Sequence, residues 1–257
     1  MKMINLNADL GESFGAYTIG NDAQLLKAIK SANVACGFHA GDPLVMQQTV
    51  SMALENNVSI GAHPGFPDLQ GFGRRPMQMA LNDVYAMIVY QIGALSAIAA
   101  SQGGKVTHVK PHGALNNMAC EDADLSSAIC RAVKDVDQNL IFLAPALSEL
   151  SLAAKKAGLN VAEEIFADRA YTDKGTLVSR KVEGAVIHDA ETCLNHVMEM
   201  VEKSALISID GKVLKTDIHS ICVHGDTPKA CDTASFVLNG LEKQGLNVCP
   251  LDQMDFA

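Results

Sequence analysis

No CxxC pair occurs among the seven cysteines of this 257-residue chain, which stand apart at positions 36, 120, 130, 193, 222, 231 and 249. An odd, scattered set of thiols excludes a disulfide framework and a zinc ribbon, and predicts buried, reduced cysteines of the kind expected in a cytoplasmic enzyme. A Walker A loop is missing, as are GxGxxG, HExxH and a GxSxG elbow. Any nucleotide would have to bind by another arrangement or on another chain. Cys36 and Cys222 fall at predicted strand ends without an activating neighbour, which argues against a cysteine nucleophile. No linker, low-complexity tract or charge block divides the chain, and "MKMINLNADL" reaches Asn and Asp too soon for a secretory signal. The most apolar run, 84–100, is short for a membrane span and carries Gln91 and two tyrosines, so a buried helix is expected. Positive charge is scarce as well. A net charge of −9 excludes a nucleic-acid or anionic-membrane surface but leaves room for a small anion gripped by local Arg or Lys.

What is present is an ordinary globular composition, 48 % hydrophobic and 19 % charged, enough for one large core and a single domain over 1–257. Strand, polar turn and helix recur. Strands are expected at 3–10, 31–36, 58–63, 106–112, 140–145, 160–169 and 220–225, with a short run at 247–251. Helices are expected near 21–30, from Pro43, and over 80–102, 122–135, 147–157, 189–203 and 229–243, with a hairpin around Asp210 and Gly211. Parallel strands joined by helical crossovers predict an α/β fold, a (β/α) TIM-like barrel of seven or eight strands, with a doubly wound open sheet as the alternative.

Ionisable residues gather at the C-terminal ends of these strands, the edge where parallel α/β folds build their sites. The first strand ends in Asp9 and Glu12, the second runs to His39 and the third to His63. The fourth carries His108, Lys110 and His112 at alternate positions, the sixth Asp168 and Arg169, and the late strand His224 and Asp226. Asp42 before Pro43 reads as a helix N-cap, and Thr227 before Pro228 repeats that grammar. Lys110 inside an apolar strand needs a carboxylate partner, Asp9 or Asp168, or a bound anion. Asp9, Glu12, His39, His63, Lys110 and His112 are therefore the candidate catalytic groups, able to serve as general acids or bases or to polarise a carbonyl or phosphoryl oxygen. Arg74 and Arg75 in "GFGRRP", with Asp168, Arg169, His224 and Asp226, are candidates for binding substrate or an anion. Asp9, His39 and His63 also form a donor set suited to one divalent ion, the signature of a metal-dependent amidohydrolase or deacetylase working without ATP.

The segments "LNADLGESFG", "SANVACGFHAGDP", "GAHPGFPDLQGFGRR", "YQIGAL", "HVKPHGAL", "FADRAY" and "ICVHGD" resemble, in this order, the motifs of the LamB/YcsF family of 5-oxoprolinase A subunits. The resemblance runs from residue 5 to about 226, and it has one visible departure: Asn116 stands where the family continues the HVKPHGAL motif with a tyrosine. It implies a barrel of the glycoside hydrolase/deacetylase type. It further implies ATP- and Mg²⁺-dependent opening of the 5-oxoproline lactam to L-glutamate, with ADP and phosphate, in concert with 5-oxoprolinase subunits B and C. A chain that only binds substrate while its partners do the chemistry is the remaining alternative.

Overall fold

The structure is a computed structural model, described over residues 2–223 and 228–256. Its strands in chain order are β1 (Met3–Leu10), β2 (Ser31–Ala35), β3 (Ser59–His63), β4 (Val106–Val109), β5 (Ile141–Pro145), β6 (Asn160–Phe166), β7 (Ala205–Ile207), β8 (Val213–Lys215), β9 (Ser220–Cys222) and β10 (Asn247–Val248). Strands β1 to β6 and β9 pair in parallel, and β9 also pairs with β1, closing a seven-stranded barrel. The run at 247–251 supplies only the two-residue β10, which extends the N-terminal end of β1 and adds no eighth stave. β7 and β8 form an antiparallel hairpin of their own. The barrel, not the open sheet, is the fold.

Helices α1 (Asp22–Leu25), α2 (Pro43–Glu55), α3 (Leu81–Ser101), α4 (Gly113–Ala119), α5 (Ala123–Val136), α6 (Glu149–Ala157), α7 (Ala190–Lys203) and α8 (Pro228–Lys243) supply the crossovers. Asp42 caps α2 by accepting from the amides of Leu44 (2.8 Å) and Val45 (3.1 Å), with Pro43 at the first helical position. The predicted cap at Thr227 lies outside the described residues. α3 is, at 21 residues, long and apolar enough to cross a membrane. Its Val84, Ile88, Ile92, Leu95 and Ala99 are nevertheless buried in the protein core at helical spacing. Other features differ from expectation: α1 is a single four-residue turn rather than a helix over 21–30, the strands expected at 106–112 and 160–169 end at Val109 and Phe166, and α4 is a helix the sequence reading does not include. The HVKPHGAL segment leaves the sheet at Val109, and Gly113, with φ +54°, turns it straight into α4.

The outward strand residues pack against the helices, whereas much of the barrel interior is polar. Asn5, Asn7 and Asp9 of β1 alternate inward and meet Ser31 and Asn33 of β2, and Ser220 of β9. Asn5 Nδ2 donates to Ser31 Oγ (2.8 Å), Ser220 Oγ donates to Asn5 Oδ1 (2.7 Å), and Asn7 Nδ2 donates to Ser220 Oγ (2.8 Å). Asn33 Nδ2 donates to Asn7 Oδ1 (2.8 Å) and Asp9 Oδ1 (2.9 Å), and His108 Nε2 lies 3.1 Å from Asn33 Oδ1. On the β5–β6 side the interior is apolar instead, where Ile141, Leu143 and Ala162 pack with Leu251 of the closing 3₁₀ turn Leu251–Gln253. Each of these buried amides serves a neighbour, so none incurs the full cost of desolvation.

His108 fits because residue 61 has no side chain: a Cβ on Gly61 would stand 2.2 Å from the His108 ring. Gly61→Ala should therefore cost about 1–3 kcal/mol of unfolding free energy by overpacking, with much of the loss relieved by adding His108→Ala, as read by urea denaturation. Burial, joined by the nearby Lys110 charge, pushes the His108 pKa down to about 3. The folded chain thus keeps His108 neutral while the unfolded chain takes up a proton below about pH 6.5. Stability should fall as pH drops from about 6.5 toward 3, and His108→Gln should flatten that slope by about one proton, or ~1.4 kcal/mol per pH unit.

Candidate active site

The strand ends open onto a cavity of about 470 Å³ at the C-terminal mouth, a volume suited to a small molecule. Its floor is Asp9, Glu12, His63, Lys110 and His112. α4 and the irregular stretch 175–180 form walls.

Lys110 is the hub. Its ammonium lies 2.9 Å from Glu164 Oε1 and 3.2 Å from Asp9 Oδ1, and it reaches Asn7 Oδ1 (3.4 Å) and Cys222 Sγ (3.2 Å). Burial lowers the pKa of such an ammonium, but the carboxylates of Asp9 and Glu164 outweigh it and hold Lys110 well above its ordinary value. Cys222 is pushed up, chiefly by burial, and is a neutral thiol; Cys36 is likewise pushed up to about 12. Neither is poised as a nucleophile. The partners of Lys110 are thus Asp9 and Glu164, not Asp168. Glu164 is fully buried and accepts from Asn7 Nδ2 (2.9 Å). By spacing Glu164 shares a strand face with Asp168, but its pairing with Lys110 depends on the register of strands distant in sequence.

Beside this ion cluster sit three imidazoles and a carboxylate. His63 Nδ1 donates to the Lys110 carbonyl (2.6 Å), and its Nε2 lies 3.3 Å from Asp9 Oδ2. His112 Nε2 donates to the Phe72 carbonyl (2.8 Å), and its Nδ1 lies 3.0 Å from His63 Nε2 and 3.5 Å from Glu12 Oε1. His39 stacks on His112, with ring centroids 3.6 Å apart, and places Nε2 3.4 Å from Glu12 Oε1. Burial drives His39 well below its ordinary pKa, helped by His112 and His63, and drives His112 down to about 3. The two rings are therefore neutral at pH 7. Glu12, His39, His63 and His112 offer four donor atoms within 4.8 Å of one another, a set able to hold a metal ion. It keeps the expected His39 and His63 but adds Glu12 and His112, while Asp9 is engaged by Lys110 and Asn33.

The two adjacent arginines part company. Arg74 lines the cavity with its guanidinium 5.0 Å from the Phe72 ring centroid. Arg75 turns away and pairs with Asp68, its Nε 2.9 Å from Oδ1. Asp168 is half-buried and does not line the cavity; its carbonyl accepts from Ile187. Arg169 does line it, though its Nη2 donates to the Val178 carbonyl (2.7 Å) and so staples the cavity wall. Arg180 on that wall escapes the sequence reading, since an irregular stretch offers no periodicity by which to orient a side chain. Asn116 lines the cavity and is buried, and its Oδ1 has no hydrogen-bond partner among the described residues. His224 and Asp226 lie outside the described residues.

A parallel barrel whose C-terminal mouth holds a buried lysine, paired carboxylates and neutral imidazoles is built as an enzyme of the (β/α)-barrel class. Residues 4–256 match the LamB/YcsF family, and the chain belongs to it. It is 57 % identical to the A subunit of 5-oxoprolinase from Azoarcus sp. over 254 residues, 99 % of each chain. The lactam utilization protein of Thermus thermophilus superposes with a TM-score of 0.92 at 41 % identity, covering 98 % of this chain and 100 % of that one. The catalytic domain of a peptidoglycan N-acetylglucosamine deacetylase from Eubacterium rectale shares the fold alone, with a TM-score of 0.53 at 10 % identity, covering 100 % of this chain and 91 % of that one.

The ion cluster sets a measurable stability. Lys110→Met strands Glu164 as a buried, uncompensated carboxylate and should cost about 3–5 kcal/mol, whereas Lys110→Met with Glu164→Gln should recover most of that loss in a denaturant-based double-mutant cycle.

Proposed function

We propose that this chain is the A subunit of an ATP-dependent 5-oxoprolinase, opening the lactam of 5-oxoproline to L-glutamate with release of ADP and phosphate. The observation that carries the reading is the near-full-length identity to a 5-oxoprolinase A subunit, joined to a small cavity that presents both a carboxylate and cations. A lactam is a stable amide, so water attacks it readily only after its carbonyl oxygen has been made a better electron sink. Phosphoryl transfer from ATP, accompanied by Mg²⁺, to that oxygen does this and accounts for the nucleotide. Water then attacks the ring carbon, the ring C–N bond breaks with the nitrogen taking a proton, and hydrolysis of the resulting acyl phosphate leaves the new carboxylate. The chain carries no Walker A sequence, which suits a nucleotide brought by 5-oxoprolinase subunits B and C in a multi-subunit complex.

Asp9 is the base in this reading. Lys110 keeps it ionised at 3.2 Å, and it lines the cavity, so it can take the proton of the attacking water and return it to the departing nitrogen. Arg74 and Arg180 at the rim hold the substrate carboxylate. Lys110 is already neutralised by two carboxylates, so its part is to fix Asp9. The single barrel domain and its seven free cysteines fit a cytoplasmic setting.

The test incubates the purified chain with 5-oxoproline, ATP and Mg²⁺, with and without subunits B and C, and follows glutamate and ADP together. Equimolar release only with both partners is expected; no product in any combination overturns the assignment. In the complete assembly, Asp9→Asn should lower turnover by at least about 100-fold while leaving the circular-dichroism spectrum unchanged.

A further inference from the structure

We propose that Glu12, His39, His63 and His112 form a binding site for one divalent transition-metal ion of the zinc type. Such a site is independent of the lactam reading. Its first sign is the direction of two N–H bonds. A backbone carbonyl only accepts, so the contacts of His63 Nδ1 to the Lys110 carbonyl (2.6 Å) and of His112 Nε2 to the Phe72 carbonyl (2.8 Å) place each ring's proton on that nitrogen. In neutral rings the other nitrogens, His63 Nε2 and His112 Nδ1, carry lone pairs; they face each other at 3.0 Å, and Asp9 Oδ2, a further acceptor, lies 3.3 Å from His63 Nε2. Two acceptors at that separation repel unless something positive lies between or beside them. Donation of the remote N–H to a carbonyl is also the arrangement that fixes tautomer and raises basicity in metal-bound histidines.

The surroundings complete the set. Glu12 Oε1 lies 3.5 Å from His112 Nδ1 and 3.4 Å from His39 Nε2. Donors bound tetrahedrally at ~2.0–2.1 Å stand about 3.3–3.4 Å apart; the 3.0, 3.4 and 3.5 Å separations are near that spacing, while the set as a whole spans up to 4.8 Å and must draw in around an ion. His39 supplies an independent sign: it is 1 % exposed, and neither of its ring nitrogens makes a hydrogen bond among the described residues. Its ring is 3° from parallel with that of His112. Two stacked rings cannot aim in-plane lone pairs at one ion, so binding must tilt His39 out of the stack. Two glycines leave room for that side chain: a Cβ on Gly65 would meet His39 Nδ1 at 2.7 Å, and one on Gly73 would meet His39 Cβ at 2.7 Å.

Three imidazoles and one carboxylate favour a borderline ion such as Zn²⁺ or Co²⁺ over Mg²⁺ or Ca²⁺, which prefer all-oxygen shells. Because Glu12, His63 and His112 line the cavity, the ion would stand at its floor beside Asp9.

The test strips the purified full-length chain with a chelator and dialyses it against Zn²⁺ or Co²⁺. Metal content is read by mass spectrometry, and the Co²⁺ form by its visible absorption. One equivalent per chain is expected, with intense tetrahedral-type Co²⁺ bands. His63→Gln and His112→Gln should each weaken binding by more than the roughly 10–100-fold that follows loss of a group merely supporting a ligand; His39→Ala should weaken it while leaving the fold intact by circular dichroism. Metal retained equally by these variants would place it elsewhere on the chain and overturn the site. So would a chain that binds neither ion and shows, by NMR of the two rings, a single proton shared between His63 and His112.

Discussion

A lysine ammonium sealed inside a barrel dictates what the rest of this interior must be. Lys110 sits at the top of a column of amides and hydroxyls, held between Asp9 and Glu164, and each carboxylate is in turn held by an asparagine of that column. Removing any one partner would leave a charge or an amide in a place that water cannot compensate. The usual aliphatic layers of a (β/α) barrel are therefore confined to the β5–β6 side and the outer faces of the strands. The site is the upper layer of this column, in continuous contact with the polar interior beneath it.

That continuity explains the electrostatics of the mouth. Asp9 is shared between a cation and an imidazole, Lys110 on one oxygen and His63 on the other. His39 is kept neutral by burial and by the nearby His112 and His63, and His112 by burial and by His63. The floor thus presents carboxylates and the Lys110 ammonium beside neutral rings, with further positive charge at the exposed rim in Arg74 and Arg180. A small anionic ligand entering such a cavity would be drawn by its charge to the rim.

Much of this is legible in the sequence, and for identifiable reasons. Alternation places His108 and Lys110 on one strand face, and the position of polar residues at strand ends gathers Asp9, Glu12, His63 and His112 at one edge. What escapes depends on register and on irregular backbone. Glu164 reaches Lys110 only because β6 and β9 align Glu164 with Ser220, and β1 and β9 align Asn7 with Cys222. Arg74 and Arg75 are neighbours with opposite fates because Asp68, three residues before Gly71, captures one of them within its own loop. The helix after His112 is hidden because Pro111 and Gly113, both poor helix formers, flank its start, and it spans only seven residues.

The amide column has a historical consequence as well as an energetic one. Asn7 gives its protons to Glu164 and Ser220 and its oxygen to Asn33, and Asn33 passes the pattern on to His108. A lineage carrying such a chain of obligations cannot drift one position at a time. Replacing Asn7 alone breaks bonds to four neighbours, Glu164, Ser220, Asn33 and Lys110, so viable descendants must change several staves together or none. The interior of this barrel should accordingly diverge in steps, long periods of stasis broken by concerted exchanges, while its helical exterior wanders freely.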